Sequence, residues 1–168
     1  MREEKRYQGF SLTEALVVLA LLAALVVISI PVLLRMLQAY HVKTAATQIA
    51  IHMRYARMEC VTEKYPYRVT LKSRSAGSGP NTYTVEYDNG TGWQRVANFD
   101  FKLPNGVEID DSGVFSGGTA QIIFDSRGGA SATSGSPPYL IDIRGVNDVQ
   151  YRVRLNLTGA VEVVKVSG

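Results

Sequence analysis

Cysteine is almost missing from this chain. One thiol, Cys60, occurs in 168 residues, which excludes an intramolecular disulfide and any zinc site built on two or more thiolates. Histidine is nearly as scarce: His41 and His52 have no Asp or Cys near them at metal-ligand spacing, so neither a metal nor a catalytic base is expected there. The sequence lacks a nucleophile elbow, a Walker loop and a dinucleotide fingerprint, and its Gly-rich segments neither follow a strand nor open a helix as phosphate loops do. Asp110-Asp111-Ser112 lacks the twelve-residue EF-hand pattern and reads as turn chemistry. No block of like charge stands out either. The 18 basic and 15 acidic residues are spread along the chain for a net charge of +3, a weak basic excess typical of ordinary solvated side chains. No repeat or heptad array is present. An enzyme is therefore not expected, and no cofactor is implied.

What the chain does have is one long apolar run. Between Phe10 and Ile30 the only charged residue is Glu14. About 21 helical residues at about 1.5 Å each span roughly 31 Å, the thickness of a bilayer's hydrocarbon core. The preceding tail carries Arg2, Lys5 and Arg6 against Glu3 and Glu4, and the positive-inside tendency places it in the cytoplasm, leaving the rest of the chain outside. No small-x-small cleavage site follows the run, so removal of the whole segment as an ordinary secretory signal is not expected. A carboxylate at the head of such a run costs several kcal/mol in hydrocarbon unless it has a partner. As a helix N-terminal acid alone, Glu14 would gain only about 0.3–1 kcal/mol from the macrodipole.

Gly9, then Phe10-Ser11-Leu12-Thr13-Glu14, then an unbroken apolar helix containing Pro31, resembles the class III signal of type IV pilins and type II secretion pseudopilins. The resemblance implies a prepilin peptidase cutting between Gly9 and Phe10, methylation of the new Phe10 amine, and retention of the helix as an assembly device. It further implies that Glu14 meets the N-terminal amine of a neighbouring subunit and sets axial register. The implied partners are other pilin or pseudopilin subunits, the peptidase, an inner-membrane assembly platform and membrane lipid.

Downstream, Pro31 lacks an N–H and is expected to kink or loosen the helix. A helical pattern resumes at once: Ala46, Ile49, Ala50, Met53, Ala56 and Cys60 recur at three- and four-residue steps, a stripe suited to lie on a sheet, with Lys43, Gln48, Arg54 and Arg57 projecting elsewhere. Cys60 on that stripe is expected to be a small buried hydrophobe rather than a reactive thiol. His41 and His52 are expected to face solvent or other subunits. The expected organisation is a cleaved cytoplasmic leader (1–9), a transmembrane assembly helix (10–34), the amphipathic half of the same helix (35–64) and an extracytoplasmic β-rich domain (65–168).

In that last part, short β-rich runs alternate with Gly, Ser, Asn and Pro clusters. Strands are expected at 67–72, 82–88, 93–96, 99–103, 107–109, 121–125, 139–143, 149–156 and 160–166, with long loops at 73–81 and 126–138. Asp88-Asn89-Gly90-Thr91-Gly92 and Leu157-Thr158-Gly159 supply hairpin turns. Val149, Tyr151, Val153, Leu155 and Leu157 alternate with Gln150, Arg152, Arg154 and Asn156, one face for a core and one for water. The expected fold class is α+β, a long N-terminal helix packed on an antiparallel sheet domain, which resembles the pilin-like fold. Phe124-x-x-x-Gly128 before a loop and Val153-x-Leu155-x-x-x-Gly159 before a last strand are similar to the C-terminal half of the GspH/FimT minor pilins. Some FimT-type members bind DNA during natural transformation through basic residues near the C-terminus. The candidates for that role here are Arg127, Arg144, Arg152, Arg154 and Lys165, although 161–168 lacks the arginine-rich motif of those members. DNA is thus a possible but not favoured partner. The resemblance leaves a type II secretion pseudopilus and a type IV pilus both open.

Overall fold

The computed structural model describes residues 11–74, 81–145 and 149–166. The expected cut between Gly9 and Phe10 lies outside them. The chain forms two compact units, Met1–Leu37 and Gln38–Gly168. Helix α1, Leu12–Glu63, contributes its first part to one and the remainder to the other.

In the first unit the helix buries nothing. Leu12, Leu16, Leu19, Leu22, Leu25 and Leu33 are all exposed, and an 18-residue window has a mean hydropathy of 3.1 with none of it buried. A helix that is apolar all round is stable only where lipid or other protein covers it. Helical structure runs through Pro31 without a break.

In the second unit the expected stripe is the buried one. Ala46, Ile49, Ala50, Met53, Ala56 and Cys60 are fully buried, joined by Val42 and Ala45. The small side chains let the helix backbone approach the strands closely. At Gly145, for example, an added Cβ would lie 2.6 Å from Val42 Cγ2.

Among the described residues nine strands form two antiparallel sheets. β1 (Tyr67–Lys72), β2 (Thr82–Asp88), β3 (Trp93–Lys102), β5 (Thr119–Phe124) and β6 (Ala130–Ala132) make the first, in the order β3-β2-β1-β5-β6. The second contains β4 (Val107–Ile109), β7 (Tyr139–Gly145), β8 (Gln150–Leu155) and β9 (Val161–Val166), in the order β4-β7-β8-β9. Period-2 alternation sends Val69 and Leu71 of β1, Val85 of β2, Ile122 and Phe124 of β5, Ile141 and Ile143 of β7 and Val153 and Leu155 of β8 into the core that receives the helix stripe.

Three details differ from the expected strands. The expected strands 93–96 and 99–103 are one strand, β3, which ends at Lys102; Asn98 within it adopts φ 65° and the β2–β3 register shifts between Thr84 and Glu86. An irregularity in β3 absorbs three extra residues, four on β3 (96–99) standing against Val85 alone on β2, and Asn tolerates the left-handed region. β6 lies inside the segment expected as a loop; Ala130-Ser131-Ala132 has little strand propensity and is held by pairing with β5. Leu157 is exposed rather than inward, since the chain has already entered the turn that Asn156 N–H closes on Ala160 O at 3.0 Å.

Candidate functional site

The N-terminal end of α1 is built by Ser11. Its carbonyl accepts the first intrahelical bond, from Ala15 N–H at 3.1 Å, and its Oγ lies 2.8 Å from Thr13 Oγ1. Ser11 is thus the N-cap, and Glu14 stands three residues on, in the first turn. Among the described residues the Glu14 carboxylate makes no hydrogen bond or ion pair, and every residue from Ser11 to Leu37 is exposed. A carboxylate at the head of an uncovered apolar helix is an acceptor waiting for a cation. Further along, Ser29 Oγ donates to Leu25 O at 2.8 Å, and Pro31 has no N–H for the carbonyl of Val27.

The second half of the helix is fastened to the sheet domain by Cys60 and by two side chains, Arg54 and Arg57, that sequence reading placed pointing away. Arg54 Nη2 donates to Val161 O on β9 at 2.7 Å, and Arg57 Nε donates to Gly128 O at 3.1 Å. Cys60 Sγ donates to Asp125 O at 3.0 Å. Burial, with the Asp125 charge nearby, pushes the Cys60 thiol up, which keeps it protonated and unreactive.

The two glycines that end the sequence motifs meet at this place. Gly128 (φ 82°) and Gly159 (φ 76°) face each other beside Arg57, and a Cβ on Gly159 would collide with Gly128 O and lie 2.7 Å from Arg57 Nε. Sequence spacing shows each glycine as a turn residue; only the fold shows that they are one contact. Asp125 supports it, its Oδ1 accepting from the N–H of Arg127 and of Gly129 at 2.9 Å each, bonds that hold its carboxyl below the usual carboxylate range.

His52 is not solvated as expected. Its Nδ1 is 2.9 Å from Tyr83 Oη, and its ring stacks on Phe101 at 4.4 Å and meets Phe99 edge-on. Burial among these rings lowers its pKa. Tyr83 is 31 residues away in sequence, so no local signal could reveal the pair.

Of the five basic candidates, Arg152, Arg154 and Lys165 line one surface groove, and Arg127 and Arg144 lie outside it. Arg152 is clamped by Asp142 across the β7–β8 pair, Nε to Oδ1 at 2.6 Å and Nη2 to Oδ2 at 2.8 Å. Arg144 pairs with Asp110. Arg154, opposite Glu162, and Lys165 and Arg127 have side chains with no ionic partner among the described residues. A clamped guanidinium must give up its carboxylate before it can hold a phosphate.

The family model described as Type II transport protein GspH matches residues 45–159, and that described as Prokaryotic N-terminal methylation motif matches residues 5–30. No curated protein matches by sequence. Among solved structures, a minor pseudopilin EpsH from the type 2 secretion system of Vibrio cholerae is similar with a TM-score of 0.56 and 15% identity, covering 74% of this chain and 97% of that one. A second structure of the same Vibrio cholerae protein gives 0.56 and 14%, over 76% and 96%. The type IV minor pilin FimU of Pseudomonas aeruginosa gives 0.51 and 12%, over 73% and 87%. At these identities the structures establish a shared pilin-like fold. The family match spans the helix stripe, strands β1 to β8 and the Gly128–Gly159 contact, and with the methylation motif before it the chain belongs to the GspH family of type II secretion minor pseudopilins, which are structural and not enzymatic.

Proposed function

We propose that a prepilin peptidase removes residues 1–9 between Gly9 and Phe10, that Phe10 becomes N-methylated, and that the mature chain enters a type II secretion pseudopilus as a minor subunit. Until then the apolar part of α1 holds it in the inner membrane as a single-pass protein, with the sheet domain on the periplasmic side and the assembly platform as its point of departure. One observation carries this reading: the apolar first part of α1 has no buried residue, and Glu14 at its head has a carboxylate with no partner among the described residues. At an effective dielectric of about 20, a cation about 4 Å from that carboxylate gains about 4 kcal/mol. That exceeds the ~0.3–1 kcal/mol available from the helix dipole. The amine of a neighbouring subunit's Phe10 supplies such a cation and fixes the axial step between subunits. Pro31 lets the helix adjust as lipid is exchanged for protein.

Glu14→Ala and Glu14→Gln should both remain in the inner-membrane fraction and both lose cross-linking to other pseudopilins. Cross-linking at the wild-type level in either variant would show that the acid is only a helix-end residue.

A further inference from the structure

The outer face of the first sheet carries a groove of about 400 Å³ whose lining is polar throughout. Its floor is an ion pair that water barely reaches: Arg68 Nη2 lies 2.6 Å from Glu86 Oε2, with the side chains 17% and 15% exposed. Thr70 Oγ1 donates to the same oxygen, and Trp93, the chain's single tryptophan, stacks against the Arg68 guanidinium at 4.2 Å. A second pair, Arg95 with Asp100 at 3.1 Å, closes one side. The remaining groups have no partner among the described residues: the hydroxyls of Thr82, Thr84 and Thr119, the amide of Gln121 and the ammonium of Lys72 all line the groove and make no side-chain hydrogen bond.

The lining chemistry selects the occupant. No large apolar side chain lines the groove, which rules out a helix or strand docking through its hydrophobic face. Two carboxylates, Glu86 and Asp100, face it beside the cations, so a polyanion such as nucleic acid would meet like charge. The unused capacity is four neutral donor–acceptor groups and one uncompensated ammonium. We infer that this groove binds a saccharide bearing a carboxylate, with the sugar hydroxyls on Thr82, Thr84 and Gln121 and the carboxylate on Lys72. The pairs Arg68–Glu86 and Arg95–Asp100 keep the face open by satisfying each other.

The full chain in a zwitterionic detergent is titrated with cellobiouronate, a disaccharide bearing one carboxylate, and with cellobiose, its neutral counterpart. Trp93 fluorescence and the backbone amide shifts of Thr82, Thr84 and Gln121 are followed together. Saturable shifts at those amides with cellobiouronate are expected, with cellobiose weaker. Loss of one such contact changes affinity about fivefold, so Lys72→Gln should weaken cellobiouronate by about that factor and leave cellobiose unchanged, while Thr84→Val should weaken both. The inference fails if those amides do not move, if citrate saturates the site as tightly as cellobiouronate, if an extended peptide binds there in preference, or if both variants bind like wild type.

Discussion

Gly159→Ala is the sharpest test of how the sheet domain is locked onto its helix. The new methyl group would collide with Gly128 O and lie 2.7 Å from Arg57 Nε and 2.9 Å from Arg57 Cδ. The backbone there stands at φ 76°, where a non-glycine residue costs about 1–2 kcal/mol. Overpacking against a backbone carbonyl that cannot swing aside adds about 1–3 kcal/mol. Together these give about 2–5 kcal/mol, a large share of the ~5–15 kcal/mol that a domain has. Gly117 separates the two terms: it has φ 58° with nothing within 4 Å of an added Cβ, so Gly117→Ala should lose only the conformational part. Thermal unfolding of the Gln38–Gly168 unit is the assay, and Gly159→Ala should fall by about 10 °C or more. Adding Arg57→Ala should return part of the loss, since the arginine then no longer crowds the methyl group. Equal losses for Gly159→Ala and Gly117→Ala, within about 0.5 kcal/mol, would refute the crowding argument.

Asp142→Ala should destabilise the second sheet by about 1–3 kcal/mol, the lower end favoured because Arg152 is one-third exposed. Asp142→Ala with Arg152→Ala should cost less than the sum of the single changes; urea unfolding of all three variants measures the coupling, and strict additivity would mean that the clamp contributes nothing. For His52, burial lowers the folded pKa while the unfolded ring keeps its usual value of about 6.5. The unfolded chain therefore binds the proton more readily, and stability is lost as pH falls below about 6.5. His52→Gln keeps a partner for Tyr83 and should flatten the stability profile between about pH 7 and pH 5; an unchanged slope would remove His52 as its source.

Much of this architecture is legible in the sequence because it is periodic. The stripe from Ala46 to Cys60 repeats at helical steps, and each of its residues is buried as the spacing requires. The alternation of Arg152 and Arg154 with Val153 and Leu155 likewise fixes which way β8 faces. What the pattern could not show depends on long-range pairing. β6 is a strand only because β5 lies beside it, and β3 runs through Asn98 only because β2 accommodates a bulge. Arg54 and Arg57 have the chemistry of a solvated helix face, yet each ends on a carbonyl more than 70 residues away, 107 for Arg54 and 71 for Arg57. Arg152 looks free in a strand pattern because its carboxylate sits on the neighbouring strand. Glu14 stands out for the opposite reason: it is the only charged residue of its run, and the fold leaves it without a partner among the described residues.

The most direct test of the pseudopilin account is the intact mass of the protein purified from the inner membrane of a host that carries its prepilin peptidase. Loss of Met1–Gly9 together with one added methyl group on Phe10 is the predicted result. A full-length, unmethylated chain from that membrane would contradict it.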